Sequence, residues 1–141
     1  MDFSFLNHIN YAAVAASSII FFAIGSLWFS TLFSSLWVEE LQQHNITIKK
    51  PTTKVLAIKM WLTFSANILA SIAMAYLVLV TGSTTVQSGL HLGIIVAFGF
   101  AVPTLASVFV WENRSLKLFL IDVGYPVVGI IATAVLLSVW H

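Results

Sequence analysis

The sequence of 141 residues contains no cysteine. This absence excludes disulfide bonds, zinc sites with thiolate ligands, thiol nucleophiles and palmitoylation. Charged residues are also scarce, at 8% of the chain, whereas soluble domains carry about a quarter. Because 60% of the residues are hydrophobic, too little polar surface remains to cover a water-soluble globule. We therefore expect an integral membrane protein whose partners include membrane lipids.

The basic residues are confined to two short segments, and they are Lys49, Lys50, Lys54, Lys59, Arg114 and Lys117. These residues form no extended basic face, so we expect no nucleic-acid partner. Lys and Arg accumulate in loops on the cytoplasmic side of a membrane. Both basic segments are therefore expected in the cytoplasm, and both termini, which lack Lys and Arg, are expected to be extracytoplasmic.

Four long apolar stretches contain a single acid, Asp122. Each is about 20 residues or longer, which suffices for a helix to cross the hydrocarbon core of a bilayer. None alternates apolar with polar residues as a transmembrane barrel strand does. The predicted spans are about 11–33, 54–80, 88–111 and 115–140, with a cytoplasmic loop at about 34–53. The fold class predicted is all-α, with four transmembrane helices in an up-down bundle forming one domain, 1–141.

Local signals mark the helix ends. Asn10 is suited to cap the first span, and the sequence 51–53, Pro-Thr-Thr, predicts a break followed by a helix start. Glu39 and Glu40, near the lysine cluster, predict a solvated amphipathic face at the membrane surface. Tryptophan prefers the headgroup level, so we expect interface anchors at Trp37, Trp61, Trp111 and Trp140, the last on the outer side.

Asp122 is the sharpest candidate for a functional residue, because an intramembrane carboxylate is costly and must face the bundle, find a cation or take up a proton. Pro126 has no amide hydrogen and frees the carbonyl of Asp122, and Pro103 acts similarly in the third span. These two prolines are the predicted helix breaks. A polar layer at similar depth is predicted from Asp122, Asn67, Thr63, Ser71, Thr104, Ser107, Tyr125 and Ser30.

Two interpretations of this layer remain open. It could be a pathway or site that handles protons or cations. Alternatively, it could be a hydrogen-bonded lock between helices, in which Asp122 pairs with Arg114 or Lys117. We favour the structural interpretation, since polar side chains commonly hold membrane helices together.

No other motif indicates chemistry. The four histidines are not paired with each other or with acids at metal-ligand spacing, so we expect no metal, cofactor or catalytic residue. Small residues at four-residue spacing, Ala12 with Ala16 and Gly89 with Gly93, permit close helix contact. The sequence leaves open whether that contact lies within one chain or between chains.

Two segments resemble the domain of unknown function 1761 family. Residues 10–14 (Asn-Tyr-Ala-Ala-Val) and 25–33 (Gly-Ser-Leu-Trp-Phe-Ser-Thr-Leu-Phe), with Trp37 after them, are similar to its first-helix signature. That signature is approximately Asn-Tyr, then Gly-x-Leu-Trp-Tyr-Ser-Pro-x-Phe-Gly and a later Trp. Residues 103–125 look like the link between its last two helices. The resemblance implies a small bacterial integral membrane protein, in the cytoplasmic (inner) membrane, with no established activity.

The chain departs from this pattern at several positions. Phe29, Thr31 and Ser34 stand where the family has Tyr, Pro and Gly. Asp122 stands where Asn is expected, and Pro126 where His is frequent. A neutral amide in the relatives would argue against a shared proton relay through this position.

Three classes of function follow. We rank first a non-enzymatic helical membrane module that self-associates or assists a partner. A minimal channel or transporter for a small solute, proton or cation is second, using the polar layer near Asp122. A membrane enzyme acting on lipidic substrates is a distant third, since no nucleophile or cofactor motif accompanies it.

Overall fold

The computed structural model describes residues 4–43 and 51–140, and its elements are helices throughout those ranges. A short 3₁₀ helix, Ser4–Asn7, precedes α1. The α-helices are α1 (Tyr11–Leu27), α2 (Ser34–Gln43), α3 (Thr53–Thr81), α4 (Val86–Val96), α5 (Val102–Trp111) and α6 (Leu116–Val139). Two π-helical turns, Trp28–Leu32 and Ala97–Ala101, extend α1 and join α4 to α5.

Within the described ranges, four helices are long and apolar enough to cross a membrane: Tyr11–Leu32, Thr53–Thr81, Val86–Trp111 and Leu116–Val139. The predicted spans 11–33, 54–80, 88–111 and 115–140 agree with these bounds to within two residues. The shortest has 22 residues, which at a rise of 1.5 Å per residue exceeds a hydrocarbon thickness of about 30 Å. The protein therefore has four helices with the length and composition of membrane spans.

The helix starts follow from capping side chains. The Asn10 side chain accepts hydrogen bonds from the amides of Ala12 and Ala13, at 3.0 and 3.1 Å. Thr52 accepts from the amide of Val55 at the start of α3, as the Pro-Thr-Thr sequence predicts. These caps satisfy backbone donors that have no partner inside the helix. At the other end of α3, Gly82 adopts φ +65°, a left-handed conformation that favours glycine.

The two membrane prolines have different effects on their helices. Before Pro103 the chain makes a π-helical turn, in which the Val102 amide donates to the carbonyl of Ala97. This wider turn accommodates a residue that cannot donate a backbone hydrogen bond. By contrast, α6 continues through Pro126 as an α-helix from Leu116 to Val139.

Helix α6 contacts α1, α3, α4 and α5, and α1 and α3 also pack on each other. Along the α4–α6 contact, a Cβ added to Gly89 would lie 2.9 Å from the carbonyl oxygen of Ala134. One added to Gly93 would lie 2.8 Å from the Cα of Ile131. This pair of glycines therefore permits backbone contact within the chain. In α1, Ala12 is exposed, and the buried small residues of its first turns are instead Ala13, Ser17 and Ser18.

The predicted loop at 34–53 contains a helix that was not predicted from the sequence. Residues Ser34–Gln43 form α2, and the part of the loop at 44–50 lies outside the described residues. The expectation of a solvated acidic face here was wrong for Glu40, whose exposed fraction is 5%. The physical reason is that α2 turns this carboxylate towards the start of α6, as described next.

Candidate functional site

Asp122 lies in the second turn of α6, and both of its carboxylate oxygens accept hydrogen bonds. Trp37 of α2 donates its indole Nε1 to Oδ1 at 3.0 Å. Arg114 donates Nη1 to Oδ2 at 3.2 Å. The Asp122 and Arg114 side chains are 26% and 28% exposed. The cost of placing a carboxylate in a membrane helix is thus offset by a cation and by a neutral donor.

The link before α6 directs Arg114 back onto that helix. Asn113 adopts φ +50°, in the left-handed region that asparagine tolerates better than most residues. Arg114 also donates its Nε to Glu112 at 2.6 Å, so the guanidinium lies between two carboxylates. Arg114 and Lys117 were the two partners expected for Asp122, and the structure pairs Asp122 with Arg114.

Lys117 pairs instead with Glu40, at 3.5 Å. The other oxygen of Glu40 accepts a short hydrogen bond of 2.5 Å from the Ser115 hydroxyl. Ser115 is at the same time the N-cap of α6, since its Oγ accepts from the amide of Leu118 at 3.1 Å. A carboxylate at a helix N-terminus also interacts favourably with the helix dipole. Helix α2 is therefore attached to α6 at two points.

We refer to these side chains as the α2–α6 polar cluster, and its members are Trp37, Glu40, Arg114, Ser115, Lys117 and Asp122. Each of its two carboxylates pairs with one basic side chain and also accepts a hydrogen bond from a neutral donor. Such an arrangement can hold a peripheral helix against a membrane span. The sequence singled out Asp122 but missed Glu40 and Ser115, because their contact joins residues 75 positions apart.

Aromatic rings placed against glycines form the α1–α6 contact. Trp28 donates its indole Nε1 to the carbonyl of Ile121 at 2.9 Å. Its ring occupies the space where a Cβ on Gly124 would lie, 2.6 Å away. The Tyr125 ring is likewise 2.7 Å from the Cβ position of Gly25. Trp28 belongs to the segment that resembles the family's first-helix signature, but its contact with α6 carries no local signal in the sequence.

One turn further along α6, the Phe21 ring of α1 lies against Gly129 in the same way. The Tyr125 hydroxyl donates to Oδ1 of Asn67 in α3 at 3.3 Å. Tyr125 therefore contacts α1 through its ring and α3 through its hydroxyl. This side chain is where the three helices meet.

Only some residues of the predicted polar layer lie between helices in the structure. Asn67 and Ser71 are buried between helices. Thr63, Thr104, Ser107 and Ser30 are exposed, and the first three donate to carbonyls of their own helix, those of Lys59, Phe100 and Pro103. Among the described residues, Asp122 accepts hydrogen bonds from Trp37 and Arg114 and from none of these four.

Three buried polar atoms have no hydrogen-bond partner among the described residues: Nδ2 of Asn67, Oγ of Ser71 and Oγ1 of Thr133. Thr133 is 2% exposed and was not singled out in the sequence, since a single threonine in an apolar helix carries no positional signal. Buried polar groups of this kind commonly bind internal water.

The remaining residues considered in the sequence are the histidines, as metal ligands, and the tryptophans, as interface anchors. In the part of the chain that the structure describes, no three His, Asp or Glu side chains are grouped closely enough to hold a metal ion. His8 and His91 are exposed, and His44 and His141 lie outside the described residues. Of the predicted interface anchors, Trp61, Trp111 and Trp140 are exposed on the helix surface, while Trp37 belongs to the α2–α6 polar cluster.

A family model matches residues 12–138, which cover nearly the whole of the four helices that are apolar enough to cross a membrane. The matching family is described as "Protein of unknown function (DUF1761)". No curated protein and no solved structure matches the chain significantly. The resemblance noted in the first-helix and last-link motifs is thus confirmed, and the chain belongs to the DUF1761 family of proteins of unknown function.

Proposed function

We propose that the protein is a non-enzymatic four-helix membrane module in which Asp122 has a structural role. The observation that carries this proposal is the pairing of both Asp122 oxygens, one with Trp37 and one with Arg114. A proton or cation carrier must exchange its ligand during each cycle. A carboxylate held by partners on two sides is instead suited to fixing α2 and the α5–α6 link in place.

We further propose an up-down arrangement of the four spans with both termini extracytoplasmic. The α1–α6 contacts support it, since Phe21, Gly25 and Trp28 meet successively earlier positions of α6, namely Gly129, Tyr125 and Gly124. The pairing of Glu40 with Lys117 supports a common location for α2 and the α5–α6 link. Because the basic residues accompany these segments, that location is proposed to be the cytoplasmic side of a bacterial inner membrane.

Cysteine accessibility tests this topology, since the native chain has no cysteine of its own. Thr84 and Glu112 are exposed and lie in different links between spans. In whole cells, a membrane-impermeant maleimide should label Thr84→Cys, and it should label Glu112→Cys only after the cells are opened. Labelling of both variants in intact cells would contradict the proposed topology.

Association with another membrane protein or with a second copy is part of this proposal. The third span, Val86–Trp111, is the least buried of the four within the described structure, and Leu116–Val139 is the most buried. It therefore offers the most surface for another helix. Native mass spectrometry from detergent should then show a defined oligomer or a co-purifying partner, and a monomer without either would contradict self-association.

A transport function is the second candidate, and it is favoured by the unpartnered buried atoms of Asn67, Ser71 and Thr133. Flux measurements on reconstituted vesicles separate the two functions. The structural proposal expects no proton or cation flux above that of empty vesicles. A flux that Asp122→Asn abolishes and that Trp37→Phe preserves would instead identify the carboxylate as a carrier.

A further inference from the structure

A groove of about 360 Å³ lies between α1 and α3, apart from the α2–α6 polar cluster. This volume falls within the range of about 300–1,000 Å³ that small-molecule sites occupy. One wall is formed by Phe22, Ser26 and Phe29, and Tyr125 of α6 also lines the groove. Most of its surface is apolar, and its open side lies between two membrane-spanning helices.

The aromatic walls of the groove are held by contacts behind them. Phe22 packs edge-on against Phe64 of α3, with ring centroids 5.6 Å apart. Phe29 packs edge-on against Tyr125 at 5.7 Å. The Tyr125 hydroxyl is in turn bonded to Asn67. Because each ring is supported by another helix, the groove is preformed and does not have to open for a ligand to enter.

Lys59 of α3 lines the same groove, together with Met60 and Thr63. It lies six residues after Thr53, where α3 begins, or about 9 Å along the helix at a rise of 1.5 Å per residue. Among the residues that the structure describes, none forms an ion pair with Lys59. A lysine at this depth can extend its amine to the headgroup level while its methylenes stay in the apolar region.

Among the described residues, no acid forms an ion pair with Lys59. Glu40 is paired with Lys117, Glu112 and Asp122 share Arg114, and Glu39 accepts a hydrogen bond from Gln43 of its own helix. The sequence from Asn10 to Val38, which includes the α1 wall, contains no charged residue at all. An anion from outside the bundle can therefore complement this lysine, and the groove lies between two helices that are apolar enough to cross a membrane.

We infer that the groove binds one anionic glycerophospholipid, with an acyl chain between α1 and α3 and the phosphate at Lys59. The apolar walls match the chain, and the amine matches the headgroup phosphate. A zwitterionic lipid has the same phosphate but adds an ammonium group close to Lys59, so it binds less tightly. This site does not depend on the role of Asp122.

Native mass spectrometry with two lipids of identical acyl chains tests this binding. Phosphatidylglycerol should bind the purified protein more tightly than phosphatidylethanolamine, and an excess of free glycerol phosphate should not displace it. Lys59→Gln should weaken phosphatidylglycerol binding about fivefold and remove the preference, since one lysine near an anionic surface contributes about 1 kcal/mol. Lys54→Gln is the matched control, because Lys54 is exposed on the same helix but does not line the groove.

Filling the groove gives a second test. Ser26→Phe places a ring in the space between the walls and should weaken the binding of both lipids. Equal losses in Lys54→Gln and Lys59→Gln, or full binding in Ser26→Phe, would overturn the inference. Displacement by glycerol phosphate would also overturn it, because it would indicate a headgroup site without a chain site.

A measurement on the unaltered protein guards against variants that fail to fold. Phosphatidylglycerol carrying a photoactivatable acyl chain should crosslink to peptides that contain Phe29 or Met60. Crosslinks spread evenly over all four spans would contradict a specific site. A stable dimer whose interface covers Ser26 and excludes lipid would show that a second copy occupies the groove, and would equally refute the proposal.

Discussion

Removing the Asp122 carboxylate should destabilise the protein by an amount that depends on what replaces it. Asp122→Ala leaves the Trp37 indole and the Arg114 guanidinium without their partner. Hydrogen bonds to a charged group contribute about 1.5–3 kcal/mol each, but both charged side chains are about a quarter exposed, so water restores part of the loss. We expect Asp122→Ala to lower the free energy of unfolding by about 2–3 kcal/mol.

Asp122→Asn should cost less, about 1 kcal/mol. The amide oxygen can still accept from Trp37, and only the ion pair with Arg114 is lost, which for a partly exposed pair contributes at most about 1 kcal/mol. Trp37→Phe keeps most of the ring and removes the donor. Each single variant removes the hydrogen bond between Trp37 and Asp122, and the double variant Trp37→Phe/Asp122→Ala removes it only once. The loss of unfolding free energy in the double variant should therefore be about 1–2 kcal/mol smaller than the sum of the two single losses.

The assay is equilibrium unfolding in mixed micelles of dodecyl maltoside and SDS, followed by far-ultraviolet circular dichroism. This signal reports helix content and does not depend on the tryptophan that is replaced. Ser107→Ala is the control, because Ser107 is exposed and donates only within its own helix. Its stability should match that of the unaltered protein within about 0.5 kcal/mol.

Two outcomes would refute this reasoning. If Asp122→Asn destabilises as much as Asp122→Ala, the negative charge itself matters and not the pair of hydrogen bonds. If the coupling between positions 37 and 122 is near zero, Trp37 does not stabilise the carboxylate, and α2 must be held by Glu40 alone.

Two further predictions concern α6. Gly93→Ala should destabilise the protein by about 1–3 kcal/mol in the same assay, because the added methyl would lie 2.8 Å from a backbone atom of α6. Gly99→Ala is the control, and it should be neutral or slightly stabilising because Gly99 has open space around it. Ser115→Ala removes the N-cap of α6 and the donor to Glu40, so it should cost about 1–2 kcal/mol; a loss below 0.5 kcal/mol would show that neither contact stabilises the helix.

The membrane spans could be predicted because the signals for them are local. The length of an apolar run determines whether a helix can cross the bilayer, and the caps at Asn10 and Thr52 act within three residues of themselves. The pairing of Asp122 with Arg114 was also within reach, since eight positions separate the two residues. Each of these interactions depends on neighbours in the chain and not on tertiary packing.

The contacts that assemble the site depend on packing that no local pattern specifies. Four-residue spacing placed Thr63, Asn67 and Ser71 on one face of α3, yet only the last two are buried, because Thr63 lines the groove. Helix α2 was not predicted because it has only ten residues and is only partly apolar. Its position depends on Trp37 reaching a carboxylate 85 residues away.

The distribution of contacts along α6 explains how an apolar bundle can reach one arrangement. Between helices in lipid there is no hydrophobic driving force, since lipid chains are as apolar as the side chains they would replace. Close packing and polar contacts must supply specificity instead. Helix α6 uses both, with aromatic rings against Gly124 and Gly129 on the α1 side, and with Gly89 and Gly93 of α4 against its other side.

The α2–α6 polar cluster helps to fix the register in which α6 packs. Ring-and-glycine contacts recur along α6 and could slide by one turn, which would place each ring against a residue with a Cβ. A slip of one turn would also move Asp122 by about 5.4 Å and break its bonds to Trp37 and Arg114. The two kinds of contact therefore exclude the same wrong register for different reasons. Specifying the helix register is therefore a sufficient reason to retain a single costly carboxylate in a membrane helix.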